Sequence, residues 1–190
     1  MTSEVSEVKR RALLQVVAGV SGTLALGLQS AHAGVTPPVA NAKAGDFNFL
    51  TGEWTIQNRK LNGGQREEFA GEATVIGLLG GVASMEELRI PARNFSGMGL
   101  RLLDVERKLW ADHWVNAKSG VLTPPPTWGS FVDGVGIWDS EEIRAGKTMI
   151  YRGVWDRITT RSCRWYQASS SDGGKTWDQS WTMDWTRVRI

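Results

Sequence analysis

The sequence predicts an all-β protein: one antiparallel up-and-down barrel of about nine strands, preceded by an export signal. Three observations carry this. Short runs rich in Val, Thr, Tyr and Trp are separated by Gly and Asp turn signals, and no long Ala/Leu/Glu/Lys stretch is present. The chain has 10 tryptophans, nine of them beyond residue 109. They recur at spacings of four, Trp110 with Trp114, and Trp177 with Trp181 and Trp185, which places rings on one face of an extended strand. A β-sandwich is the competing architecture, but strands joined by short loops curl more readily into a barrel that pairs its own edges.

Residues 1–33 read as a leader. Lys9-Arg10-Arg11 precedes a weakly apolar run from Ala12 to Leu28, and Ala31-His32-Ala33 supplies a small-x-small cleavage pattern. The run is interrupted by Gln15, Ser21 and Gly22, so it spans a bilayer poorly. Arg10-Arg11-Ala12-Leu13-Leu14 resembles a bacterial twin-arginine signal, with Lys9, Leu13 and Gln15 departing from the usual pattern. The resemblance implies a periplasmic or secreted protein; an ordinary secretory signal or a retained anchor is the alternative. Residues 34–45, with Pro37-Pro38, read as a linker, and residues 46–190 as one domain.

Composition excludes several classes. Removing the leader leaves 19 basic against 18 acidic residues, which argues against nucleic acid or an anionic membrane as main partner. Cys163 is the single cysteine, so no intramolecular disulfide forms; it reads as a small buried hydrophobe. His113 is the one histidine after the leader, too few for a zinc site. A haem held by His113 is set aside in favour of a rim histidine. No cofactor or metal is expected, and no Ser–His–acid set, phosphate loop or dinucleotide fingerprint occurs.

In order, Asp46 is expected to cap a short helical turn over 46–50 that closes one end of the barrel. Strands are expected at 54–61, 67–77, 82–90, 97–104, 109–116, 130–138, 147–156, 161–170 and 176–188. Pro124-Pro125-Pro126 cannot occupy a central strand and reads as a rim loop. Ser170 to Trp177 matches the Asp-box turn of sialidases; a single copy is a turn staple, with Asp172 accepting turn amides.

Gly52-x-Trp54 after a helical turn is also shown by lipocalin-type barrels, where the Trp packs against an Arg of the last strand, here Arg187 or Arg189. The mature chain more closely resembles an uncharacterised group of bacterial lipocalin-like (calycin-type) proteins. The matching residues are Asp46-Phe47, Leu50, Gly52 and Trp54, then Trp110, Asp112, Trp114 and Asn116, then Ser170 to Trp177, with Trp185-Thr186-Arg187 closing. The resemblance implies a small-molecule cup and no assigned activity.

Alternation puts Trp110, Asp112, Trp114 and Asn116 on one face, and Cys163, Trp165, Gln167 and Ser169 on another. A carboxylate among indoles either pairs with a neighbouring Arg, such as Arg101 or Arg152, or has a raised pKa suited to acid–base work. The pairing is favoured. Glu86, on a face with Leu88 and Ile90, is a second inward acid. The expected function is binding of a small apolar or aromatic molecule, with Trp110, Trp114, Trp165 and Trp181 stacking on it and Asp112 and Gln167 orienting it. An isomerase, cyclase or hydrolase using Asp112 or Glu86 in acid–base work is the main alternative, and a filled barrel with an interaction role the third.

Overall fold

The computed structural model describes residues 35–122 and 124–188; the expected signal over residues 1–33 lies outside them. Ten strands follow a 3-10 turn at Asn48–Leu50. They are β1 (Gly52–Asn62), β2 (Gln65–Leu78), β3 (Ala83–Ile90), β4 (Phe95–Asp104), β5 (Leu109–Asn116), β6 (Thr127–Val132), β7 (Val135–Arg144), β8 (Lys147–Asp156), β9 (Ser162–Ser170) and β10 (Asp178–Arg187). Each pairs antiparallel with its chain neighbours and β10 returns to β1, closing the barrel.

The strand expected at 130–138 is two strands. Asp133 and Gly134 both have positive φ, 50° and 78°, the backbone of a tight two-residue hairpin turn that Asp-Gly favours. β7 runs on to Arg144, past the expected end of a strand at 138, and only Ala145-Gly146 reverses the chain. The Asp-box turn forms as expected. Asp172 accepts the Lys175 and Thr176 amides and the Thr176 and Ser170 hydroxyls, and those bonds, that from the Thr176 hydroxyl foremost, hold its carboxyl well below the usual range.

Alternation along the strands decides what the barrel encloses. On β1, Trp54, Ile56 and Asn58 are buried while Glu53, Thr55 and Gln57 are exposed. The turn at 46–51 plugs one end. Phe47 lies edge-on to Trp110 at 4.9 Å and to Phe131 at 5.1 Å, and Leu50 is fully buried. Asp46 does not cap this turn; its carboxylate accepts the Lys43 amide and the Trp110 indole N–H instead.

The seam between first and last strands is fastened at the same end. Trp54 and Arg187 are directly opposed across β1 and β10, and the guanidinium lies 4.2 Å over the indole. Its nitrogens donate to the carbonyls of Phe49, Thr51 and Thr160. Arg189 lies outside the described residues. Gly52 has φ +128°, and a Cβ there would stand 2.6 Å from the Arg187 guanidinium, so glycine is needed for both backbone and space. Arg187→Ala is expected to cost about 2 kcal/mol in urea unfolding, from lost charged hydrogen bonds and ring contact. Arg187→Lys should restore less than half, since an ammonium cannot reach three carbonyls in a fork.

Candidate functional site

Above the plug the interior is hollow. A cavity of about 510 Å³ occupies the other half of the barrel. Its wall is aromatic: Trp114, Trp138, Trp155, Trp165, Trp181 and Trp185 all line it, and Tyr151 joins them. The wall parts between β5 and β6, which share only three register pairs, Trp110–Asp112 with Thr127–Gly129. Beyond Asp112 the pairing lapses because β6 begins at Thr127, and a single bridge of Val115 with Leu122 resumes it; His113, Trp114, Thr127 and Ser140 line the cavity.

Six of the seven residues expected at the site line this one cavity: Glu86, Asp112, Trp114, Trp165, Gln167 and Trp181. Trp110 does not. It is fully buried beneath Phe47, with its indole N–H on Asp46. Trp110 and Trp114 share a face, but four residues of strand separate them by about 13 Å, from plug to rim. Trp177 also stays out of the hollow. Register shifts between Gln179 and Trp181, and a bulge of this kind turns the preceding residues to the other face. The Trp177 ring packs over its own turn, with the Arg152 guanidinium 3.9 Å from it.

Trp165 and Trp181 meet edge to face at 5.7 Å, and the Trp181 indole N–H is fixed by Asn58 at 3.0 Å. Gln167 is opposite Trp181 across β9 and β10. At the rim Trp114 lies parallel to Phe95 and across Gly97, where a Cβ would stand 2.2 Å from the ring. Glycine there leaves room for an indole to lie flat against the wall.

The polar floor is a row of three charges on successive strands. Asp112 of β5 is directly opposite Arg101 of β4, and Glu86 of β3 is opposite Gly99, two residues along from Arg101. The Arg101 guanidinium donates to Glu86 at 2.6 Å and lies 3.7 Å from the Asp112 carboxylate. It also sits within 5.1 Å of the Phe47 ring and 5.5 Å of the Trp155 ring. Burial works against its charge, yet Glu86 and Asp112 outweigh it and raise its pKa. Arg152, the other partner considered for Asp112, is instead bound through two hydrogen bonds by Asp139.

Asp112 is half-buried in the cavity wall, with 32 % of its side chain exposed. Burial pushes its carboxyl up to about 6; Arg101 and His113 oppose this and Glu86 reinforces it. Cys163, buried nearby, is pushed up to about 12 by burial and Glu86, so its thiol is no nucleophile at neutral pH. Residues that sequence reasoning missed as cavity wall are Trp138, Tyr151, Trp155 and His113, which had read as a rim histidine; Arg101 had appeared only as a salt-bridge partner. Among the described residues no His/Cys/Asp/Glu cluster is placed to hold a metal, and no helix is long and apolar enough to cross a membrane.

No family model matches the chain, and no curated protein matches it in sequence. Among solved structures it is similar to a protein of unknown function from the DUF3598 family of Nostoc punctiforme, at 15 % identity and TM-score 0.44, over 80 % of this chain and 52 % of that one. It is also similar to Rv2717c of M. tuberculosis, at 13 % identity and TM-score 0.48, over 77 % and 99 %. A third is the S-type phycobiliprotein lyase CPES of Guillardia theta, at 12 % identity and TM-score 0.46, over 76 % and 91 %. The chain spans about half the length of the Nostoc protein.

The raised pKa of Asp112 has a stability consequence. The folded state keeps this proton up to about pH 6, whereas an unfolded carboxyl loses it near 3.8. Folding therefore loses stability as pH rises from about 4 to about 6, and the loss persists above. Asp112→Asn is expected to gain on the order of 1–2 kcal/mol at pH 7 and nothing at pH 4, after allowance for solvent in the hollow, by urea unfolding at the two pH values.

Proposed function

We propose that this protein is an exported binding protein that takes a small aromatic or apolar molecule into the open half of its barrel. The observation that carries the reading is the 510 Å³ hollow walled by six indoles, a volume within the range of ligand pockets and too large to be a packing defect. Trp165 and Trp181 offer faces at right angles, Trp114 guards the rim, and Gln167 supplies a hydrogen-bonding group among them. Trp110 serves from behind, by holding the plug on which the floor rests. Export to the periplasm is supported by the twin-arginine-like leader.

The test is a titration of intrinsic tryptophan fluorescence with N-phenyl-1-naphthylamine, a neutral aromatic dye. The expected result is saturable quenching, weakened about tenfold or more by Trp165→Ala combined with Trp181→Ala, through loss of stacking and buried area. No saturable quenching, or quenching indifferent to the double substitution, contradicts the reading.

One observation favours acid–base chemistry on a bound molecule as a second reading: a carboxyl titrating near neutrality beside a guanidinium inside the cavity. In that case Asp112→Asn abolishes turnover while leaving dye affinity within about twofold; turnover undiminished in the variant removes Asp112 from the chemistry.

A further inference from the structure

The floor of the hollow carries a hydrogen-bonding pattern as well as charge. Arg101 commits Nη2 to Glu86, while its Nε and Nη1 find no partner among the described residues, although only 5 % of the side chain is exposed. Buried guanidinium donors without acceptors are costly, and a cavity-lining Arg in this state is incomplete as a structural element. Asp112 differs in being 32 % exposed, but its carboxylate too lacks a protein donor at hydrogen-bond distance. Its nearest cation is that Nε at 3.7 Å, past hydrogen-bond reach, and no hydrogen bond to its carboxylate contributes to its titration.

The barrel enforces this arrangement. Opposite Glu86 stands Gly99, where a Cβ would lie 3.3 Å from Arg101 Nη2 and 3.6 Å from Glu86 Cβ. The space lets the guanidinium lean toward Glu86, and the Phe47 and Trp155 rings hold it there. What remains is a guanidinium with unanswered donors at the floor of an apolar chamber, and beside it an acceptor open to that chamber.

Charge narrows what can answer them. With Asp112 ionised, Glu86, Arg101 and Asp112 sum to −1, so a further buried anion is opposed. The remaining charged group at the wall, Arg152 of β8, is neutralised by its pair with Asp139 of β7, and His113 of β5 sits beside Asp112.

We infer that the molecule held in the cup is a flat, neutral aromatic compound bearing a carbonyl next to an N–H, as in an aryl amide, with the carbonyl on Arg101 and the donor on Asp112. This rests on the small-molecule reading above and adds the ligand's polar end to it. The functional group has the one-acceptor, one-donor edge that complements the two unanswered groups.

Calorimetric titration at pH 7.5 with four probes sharing one ring system tests it: naphthalene-2-carboxamide, its N,N-dimethyl derivative, naphthalene-2-carboxylate and 2-methylnaphthalene. The primary amide is expected to bind at least tenfold tighter than the other three. Asp112→Leu should reduce its margin over 2-methylnaphthalene to below about threefold. If that variant fails to fold, the dimethyl amide, which lacks the N–H, gives the same comparison on the unaltered protein. Equal binding of all four overturns the inference and leaves the cup reading standing. Tightest binding of the carboxylate overturns the charge argument and the inference with it. Failure of every probe, with no dye binding either, overturns both readings.

Discussion

Pairing of the first strand with the last is the constraint on which the rest depends. An open ten-stranded sheet would expose one apolar face along its whole width; closing β1 on β10 turns that face inward and leaves no edge. Arg187 fastens the seam by lying over Trp54 and binding carbonyls from the plug turn and from the loop before β9. A cation on the last strand, a ring on the first and the backbone of the plug are thereby held as one unit. The plug follows from this. Phe47, Leu50, Trp54, Trp110, Trp155 and Trp185 belong to one buried cluster that fills the lower half.

Filling one half explains why the other half stays open. Aromatic side chains are long, and once the lower rings meet edge to face they form a floor that the upper rings cannot descend through. Trp165 and Trp181 lean on each other at the wall, and Gly97 lets Trp114 lie flat. The charged row across the floor acts in the same direction. Glu86, Arg101 and Asp112 are tolerable there because opposite charges sit on adjacent strands, and apolar packing directly onto them would leave their remaining hydrogen-bonding capacity unmet. Fold and site are thus one arrangement: the closure that stabilises the barrel also fixes the depth at which polar groups face the hollow.

The all-β class, the closed barrel and the Asp-box staple were legible in the sequence because each rests on local signals, alternation of period two and turn residues at fixed offsets. Asp133-Gly134 was an equally local hairpin signal that a run of apolar residues on either side obscured, which is why nine strands were expected. Depth was not legible. Alternation states which face a residue takes but not its height, so Trp110 and Trp114 look equivalent while one supports the plug and the other borders the mouth. The bulge before Trp181 defeated the grouping with Trp177, since one extra residue inverts every side chain before it. That Arg101 and Asp112 stand opposite one another depends on the β4–β5 register, which their shared hairpin sets; that Glu86 joins them depends on a second register through β3. The aromatic, acid-bearing character of the interior was readable, and the donor-and-acceptor pairing at its floor was not.

Indoles in the upper half of the barrel surround space without filling it, and 19F NMR of protein labelled with 5-fluorotryptophan reads that directly. On addition of a neutral naphthalene probe, the resonances of Trp114, Trp165 and Trp181 are expected to shift in a saturable way, while those of Trp54 and Trp110 in the plug stay in place. Shifts spread evenly over all ten resonances, or confined to Trp128 and Trp177, would place the probe outside the barrel and contradict the hollow as the seat of function.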